Sequence, residues 1–212
     1  MSSLVTPFVH GLLLAGGLIV ALGPQNVFVF QQGTLQPRLR DAAPTVVTAG
    51  VADTVLVVLA VSGVSLVVLR YGWLQTVLFG VGVVFLVYVG WAILTSPRLA
   101  LDPENTTSLG PRRQISFTAG VSLLNPHAIL DTIGVIGTSA LAYDDRGKAA
   151  FTAACLFVSW TWFVGLAVAG SKVSVEDGGR RWTRYVNPIA AAVVWLVALY
   201  MGWQFATAVG VV

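Results

Sequence analysis

Charge is what this chain has least of. Only 10% of its 212 residues are Asp, Glu, Lys or Arg, against about 25% in an ordinary soluble domain. With 56% hydrophobic residues and a mean hydropathy of +0.82, that scarcity excludes a soluble globular domain and describes an integral membrane protein. Cysteine is nearly absent. The single Cys155 excludes an intramolecular disulfide and a cysteine-based metal site, and its place inside an apolar run assigns it to packing. Long polar segments are missing too. The two longest connections, 95–114 and 171–187, are broken by Ser96-Pro97, Asp102-Pro103 and Gly178-Gly179 and hold no metal, nucleotide or other cofactor pattern. Basic–aromatic clusters do not occur, so the net charge of +3 reflects loop residues beside anionic lipid and not nucleic-acid binding. Function has to lie within the apolar runs.

There are six such runs, at Pro7–Phe30, Thr45–Leu69, Trp73–Leu94, Ile115–Leu141, Ala149–Ala169 and Pro188–Val211. Each has roughly the 20 residues that cross a bilayer as a helix. They are apolar on nearly every face, and the ten-residue alternation of a membrane β-barrel is absent. The sequence therefore predicts an all-α integral membrane protein of about six transmembrane helices, one membrane domain over residues 1–212. Short loops keep Lys and Arg on the cytoplasmic side. Loops after the first, third and fifth runs carry Arg38, Arg40, Arg98, Arg112, Arg113, Lys172, Arg180, Arg181 and Arg184, against Arg70, Arg146 and Lys148 on the other side. That count places the odd loops in the cytoplasm and both termini outside, in a multi-pass protein of the cell inner membrane. The first run lacks a basic leader and contains a Gly-Pro-Gln-Asn break, so it reads as a retained span and not a signal peptide.

Against this background stand two acids. Asp53 and Asp131 lie in the middle of uncharged stretches, and all 12 basic residues lie outside the apolar runs. A carboxylate near the bilayer centre costs about 2.5–3.5 kcal/mol on insertion scales, and such residues face a bundle interior or a wet pathway. An acid with no base in its span invites a proton, a metal ion or a cationic solute. The plainer alternative is a protonated acid hydrogen-bonded to Ser, Thr or Trp.

Two prolines interrupt the runs near these acids. The first run reads Ala21-Leu22-Gly23-Pro24-Gln25-Asn26-Val27-Phe28, and the fourth reads Leu123-Leu124-Asn125-Pro126-His127-Ala128-Ile129-Leu130-Asp131. Proline removes a donor and clashes with the preceding turn. In hydrocarbon the freed backbone groups need partners, so such breaks persist where buried or facing a wet cavity. Placing Pro24 over Pro126 aligns Ala15-Gly16-Gly17 with Thr118-Ala119-Gly120, and Gln25 with His127. The halves are then 1–95 and 112–212, joined by the polar loop 95–114. Three spans per half turn the second upside-down, which predicts a 3+3 inverted repeat whose broken first and fourth helices meet near the midplane. The candidate substrate- or proton-binding residues are Asp53, Asp131, Gln25, Asn26, Asn125 and His127, with Gly23, Pro24 and Pro126 as the breaking positions. His10 reads as a membrane-interface residue. Trp73, Trp91 and Trp182 read as aromatic belts, and the deeper Trp160 and Trp162 as helix packing, with cavity lining the alternative. Gly80, Gly82 and Gly90 offer a small-residue face to a second copy in a homodimer.

At the breaks the sequence resembles the LysE family of bacterial amino-acid exporters, the lysine and arginine exporters in particular. One motif runs from Leu22 through Gly23-Pro24-Gln25-Asn26 to Gln31-Gln32-Gly33. A second runs from Leu124 through Asn125-Pro126-His127 to Asp131-Thr132, and Gly50-Val51-Ala52-Asp53-Thr54 is similar to the family's acidic position in the second span. Gly-Pro-Gln-Asn with Asn-Pro-His is the basic amino-acid form; the homoserine and threonine branch has Pro-Gly-Pro-Asn and Asn-Pro-Lys. Gln31 and Gln32 stand where a basic residue is often seen, which leaves that end of the span less positive. The resemblance covers essentially the whole chain. It implies export of lysine, arginine or close analogues by a secondary transporter, driven by the proton gradient, as an antiport, or by membrane potential. Family members have also been drawn with five spans and a re-entrant segment; the charge count favours six.

Three rival readings use the same residues. One is an exporter of neutral amino acids. A small metal-cation exporter would need several close ligands, and His127, Asp131 and Asp53 supply at most three. An intramembrane aspartyl protease would use two acids, but its Tyr-Asp and Gly-x-Gly-Asp pairing is not found around Asp53 or Asp131, so the chain is not read as an enzyme.

Overall fold

Proline and glycine decide where the apolar runs begin and break as helices. The computed structural model describes residues 4–20, 23–64, 70–95, 109–176, 192, 194–200, 202–203 and 205–207, and the regular structure among them is entirely helical. Helix α1 (Val5–Ile19) and helix α2 (Pro24–Leu35) form the first run, bent by 78° between them. A 3-10 turn, Leu39–Ala42, leads into α3 (Ala43–Leu59), which closes in a π turn, Ala60–Val64, containing Gly63 at φ 94°. That left-handed conformation suits glycine and kinks the helix there. Helix α4 (Gly72–Thr95) has no charged residue. The fourth run is a series: α5 (Pro111–Leu123), α6 (Pro126–Asp131), a π turn Thr132–Gly137 and α7 (Thr138–Ala140). Helix α8 (Asp145–Glu176) outruns its predicted Ala149–Ala169 at both ends. The helical hydrogen-bond ladder continues into the polar interface, whereas apolarity stops at the hydrocarbon edge.

Two described helices are long and apolar enough to cross a membrane, Leu39–Gly63 and Asp145–Val173, and the bent α1–α2 pair, counted as one broken span, makes a third. Of the sixth run, residues 194–200 are helical. Ser96-Pro97, Arg98, Asp102-Pro103, Gly178-Gly179, Arg180, Arg181, Trp182 and Arg184 lie outside the described residues, as do Ala21 and Leu22 at the first break.

Helix α8 measures depth along the bundle. Near its start Gly11 of α1 packs so closely that a Cβ there would lie 2.6 Å from the Phe151 carbonyl, and Cys155 Sγ donates to Gly11 O at 3.7 Å. Near its other end α2 comes equally close, because a Cβ on Gly33 would lie 2.9 Å from Ala167 Cα and one on Gly170 would meet the Phe30 carbonyl. Phe151 and Gly170 are separated by about 28 Å of helix at 1.5 Å per residue, close to the ~30 Å of a hydrocarbon core. The α1–α2 pair therefore advances along α8 from one end to the other, which a re-entrant hairpin would not do. Helix α3 runs the opposite way, from Thr45 beside Gln114 to Val57 in the cluster around Phe151. The α5–α7 series does the same, ending with Ile136 and Ala140 in that cluster.

Three apolar clusters hold these helices together. One, at the Phe151 end, gathers Ala15, Val57, Ile136, Ala140 and Cys155. A second, at the Gly170 end, joins Val29, Val46, Ala49, Phe163 and Ala167. The third packs Leu86 and Val121 against Val194 and Ala198. Side chains such as Val84 and Trp91 of α4 and Phe157 of α8 are exposed, as expected of a surface solvated by lipid. Gly80 packs against Phe205 of the same chain, so at that position the small-residue face is used within one copy.

Candidate functional site

Each break leaves an extended residue followed by proline at the start of a new helix. Gly23 has φ −81°, ψ 168° and Asn125 has φ −86°, ψ 98°; neither helix start carries a side-chain cap. Asn26 repairs the first break by donating from Nδ2 to the Ile19 carbonyl at 2.8 Å, supplying a partner that the ladder lost. The two breaks adjoin: a Cβ on Gly23 would lie 4.0 Å from Asn125 Nδ2.

Where the breaks meet, a cavity of about 240 Å³ opens. It is below the roughly 300–1,000 Å³ of pockets for drug-sized ligands, so it suits a solute of amino-acid size. Gly23, Pro24, Gln25, Asn26, Asp53, Asn125 and Asp131 all line it. Five of the six candidate binding residues thus share one cavity. The backbone of His127 follows Pro126 in α6, but its side chain lies outside the described residues. Leu18, Ile19, Ile136, Phe163 and Val197 supply the apolar wall. Among the described residues the lining holds two carboxylates and no basic side chain, so its electrostatics favour a cation.

Ser159 and Thr132 complete the polar lining, and sequence reading did not single out either. Ser159 Oγ donates a hydrogen bond to Asp53 Oδ2, which fixes the carboxylate's orientation. Trp160 holds the same stretch of α3: its Nε1 donates to Thr54 Oγ1 at 3.2 Å, and a Cβ on Gly50 would lie 2.8 Å from its indole. That is the packing role expected of Trp160. The signal for Ser159 was available. It is the middle residue of Asp145–Val173, and Asp53 lies within a turn of the middle of Leu39–Gly63. Both therefore sit near the centre of their spans. His10, remote from the cavity, shares a 2.7 Å hydrogen bond with the Tyr143 hydroxyl and packs on Phe151.

Two buried polar atoms of the lining have no hydrogen-bond partner: Gln25 Nε2, a donor, and Asn125 Oδ1, an acceptor. A buried polar group without a partner costs about 1–3 kcal/mol. Among the described residues no group of three His, Cys, Asp or Glu side chains converges to hold a metal ion.

A helical membrane bundle with broken helices around a mid-span polar cavity belongs to the class of solute translocators. The family model for LysE type translocators matches residues 17–204, and the chain belongs to that family. It is similar to the "Putative amino-acid transporter YisU" of Bacillus subtilis, 49% identical over 195 residues, covering 92% of this chain and 88% of that one. It is also similar to the arginine exporter protein ArgO of Pectobacterium atrosepticum, 30% identical across 93% of this chain and 98% of the relative. ArgO of Escherichia coli K12 is 28% identical across 92% of each chain. No solved structure matches the chain.

Proposed function

We propose that this protein exports L-lysine or L-arginine from the cytoplasm across the inner membrane, through six spans arranged as a 3+3 inverted repeat. The observation that carries the reading is one amino-acid-sized cavity, at mid-span depth, whose polar groups match a cationic zwitterion. The side-chain cation pairs with Asp53 or Asp131, where attraction in a dry site is several times stronger than in water. The α-carboxylate takes the unpartnered Gln25 Nε2 and the dipole of the α2 N-terminus, and the α-ammonium takes Asn125 Oδ1. The aliphatic stem lies on Leu18, Ile136 and Phe163, as long charged side chains do on apolar surfaces. The ArgO relatives support the same substrate class.

Two features support the inverted repeat. Both breaks have an extended residue before proline, and α1 and α5 approach the cavity from opposite ends of α8. An acid that alternately holds the substrate cation and a proton couples their movement in opposite directions, and the hydrogen bond from Ser159 to Asp53 at the cavity wall supports that role for Asp53. The test is growth and extracellular amino-acid release in an exporter-deleted bacterium fed lysine- or arginine-containing dipeptides. Release of the basic amino acid, lost in Asp53→Asn, supports the reading. A well-expressed wild type that releases only neutral amino acids overturns it.

A further inference from the structure

From Gln25 and Asn125 in the cavity, a row of polar side chains that the binding site does not otherwise use continues towards the Gly170 end of α8. Gln25, Gln32 and Gln36 recur at i, i+7 and i+11 along α2 and just past its end, and so occupy one helix face. Gln114, Thr118, Ser122 and Asn125 recur at i, i+4, i+8 and i+11 along α5 and just past its end. The two helices pack against one another, with Phe28 and Phe117 rings 4.5 Å apart, and all seven polar residues are buried. They run antiparallel, because Gln25 and Asn125 share the cavity while Gln36 Nε2 donates to Leu109 O at 3.3 Å at the far end. From Gln25 to Gln36 is about 16 Å of helix, half the hydrocarbon thickness. Two of these side chains, Gln32 and Ser122, are fully buried, and Gln32 Nε2 and Ser122 Oγ have no hydrogen-bond partner.

We infer that this seam between α2, α3 and α5 is the cytoplasmic half of the translocation path, shut in the present conformation by a latch centred on Gln114. The inference rests on the proposed transport function. Gln114 Nε2 donates to Asp41 O at 3.0 Å and to Leu109 O at 2.8 Å, and Thr45 Oγ1 donates to Gln114 Oε1 at 2.9 Å. Gln36 joins it through Leu109 and also donates to Gln32 Oε1 at 3.1 Å. One amide thus ties together α5, the start of α3 and the approach to α5. Arg38, Arg40, Arg112 and Arg113 stand exposed around this end, which assigns it to the cytoplasm by charge. When the latch parts, Gln32 and Ser122 gain solvent and then substrate as the partners they lack. Every group in the seam is neutral, so a cation passes without being trapped on the way to the acids.

The test uses thiol labelling in a Cys155→Ala background, with Ser122→Cys and, separately, Thr118→Cys as reporters. Inside-out vesicles are exposed to a membrane-impermeant methanethiosulfonate, with and without Gln114→Ala and with and without arginine. Loss of the latch hydrogen bonds raises the open population, and with it the labelling rate, at least about tenfold, and arginine slows the labelling. Labelling that reaches position 122 or 118 only from the opposite face, or that ignores Gln114→Ala, overturns the seam. Arginine uptake by the Cys155→Ala parent separates the two claims. Uptake with latch-insensitive labelling refutes this inference alone, and no uptake with latch-sensitive labelling refutes the substrate assignment alone.

Discussion

Replacing Asp53 by Asn removes a charge and almost nothing else. Asparagine has the same shape, and its Oδ1 can still accept the hydrogen bond from Ser159 Oγ, so the α3–α8 contact and the cavity of about 240 Å³ are retained. What goes is the ionic partner for a substrate cation. At 4 Å and an effective dielectric of 20, that Coulomb attraction is about 4 kcal/mol. Water competing for the free ions lowers the net value to the roughly 1.5–3 kcal/mol measured for hydrogen bonds to charged groups. At about 1.4 kcal/mol per tenfold, the half-saturating arginine concentration rises about 10- to 150-fold. Asp131 lines the same cavity and keeps the loss from being complete. The assay is the initial rate of arginine uptake by inside-out vesicles over a range of concentrations, with protein amount matched by immunoblot. An unchanged half-saturation for arginine would refute the assignment of Asp53 to the cation.

Three other changes separate binding from stability. Gln25→Leu removes a buried donor that has no partner, so melting in detergent stays within about 1 kcal/mol of wild type or rises while arginine transport falls at least about tenfold; a destabilised but fully active variant would contradict this. Asn26→Ala removes the 2.8 Å bond to the Ile19 carbonyl, leaves that carbonyl without its side-chain partner and costs about 1–3 kcal/mol, seen as a lowered thermal midpoint. Gly33→Ala forces a methyl into the α2–α8 crossing beside Ala167, an overpacking worth about 1–3 kcal/mol or more, and the amount of folded protein on size-exclusion chromatography falls.

Much of this architecture was legible because bilayers impose strong rules on sequence. Pro24 and Pro126 marked the breaks, since proline cannot continue a helix, and the structure starts new helices at both. Asp53, Asp131, Gln25, Asn26 and Asn125 stood out as polar residues in apolar runs, and they line one cavity. What the sequence could not convey was which groups touch. Ser159 is an ordinary serine until the register of α8 against α3 sets it on Asp53. Gly33 and Gly50 stood in the sequence only as members of family motifs, yet each marks a close approach, one to the α8 backbone and one to the Trp160 ring. Gln114 looked like the end of a polar loop, although it is buried and bonded to Thr45 of α3, to the turn at Asp41 and to Leu109. Helix limits also drifted where polar ends prolong a span, as at Asp145–Glu176.

The central claim is that the cavity between the two breaks recognises a cationic amino acid. Its most direct test is equilibrium binding to the purified protein in lipid nanodiscs, comparing lysine with norleucine, which has the same stem without the terminal ammonium. The account predicts that lysine binds at least about tenfold more tightly and that this preference shrinks in Asp53→Asn. Equal affinity for the two ligands, unchanged by Asp53→Asn, would contradict it.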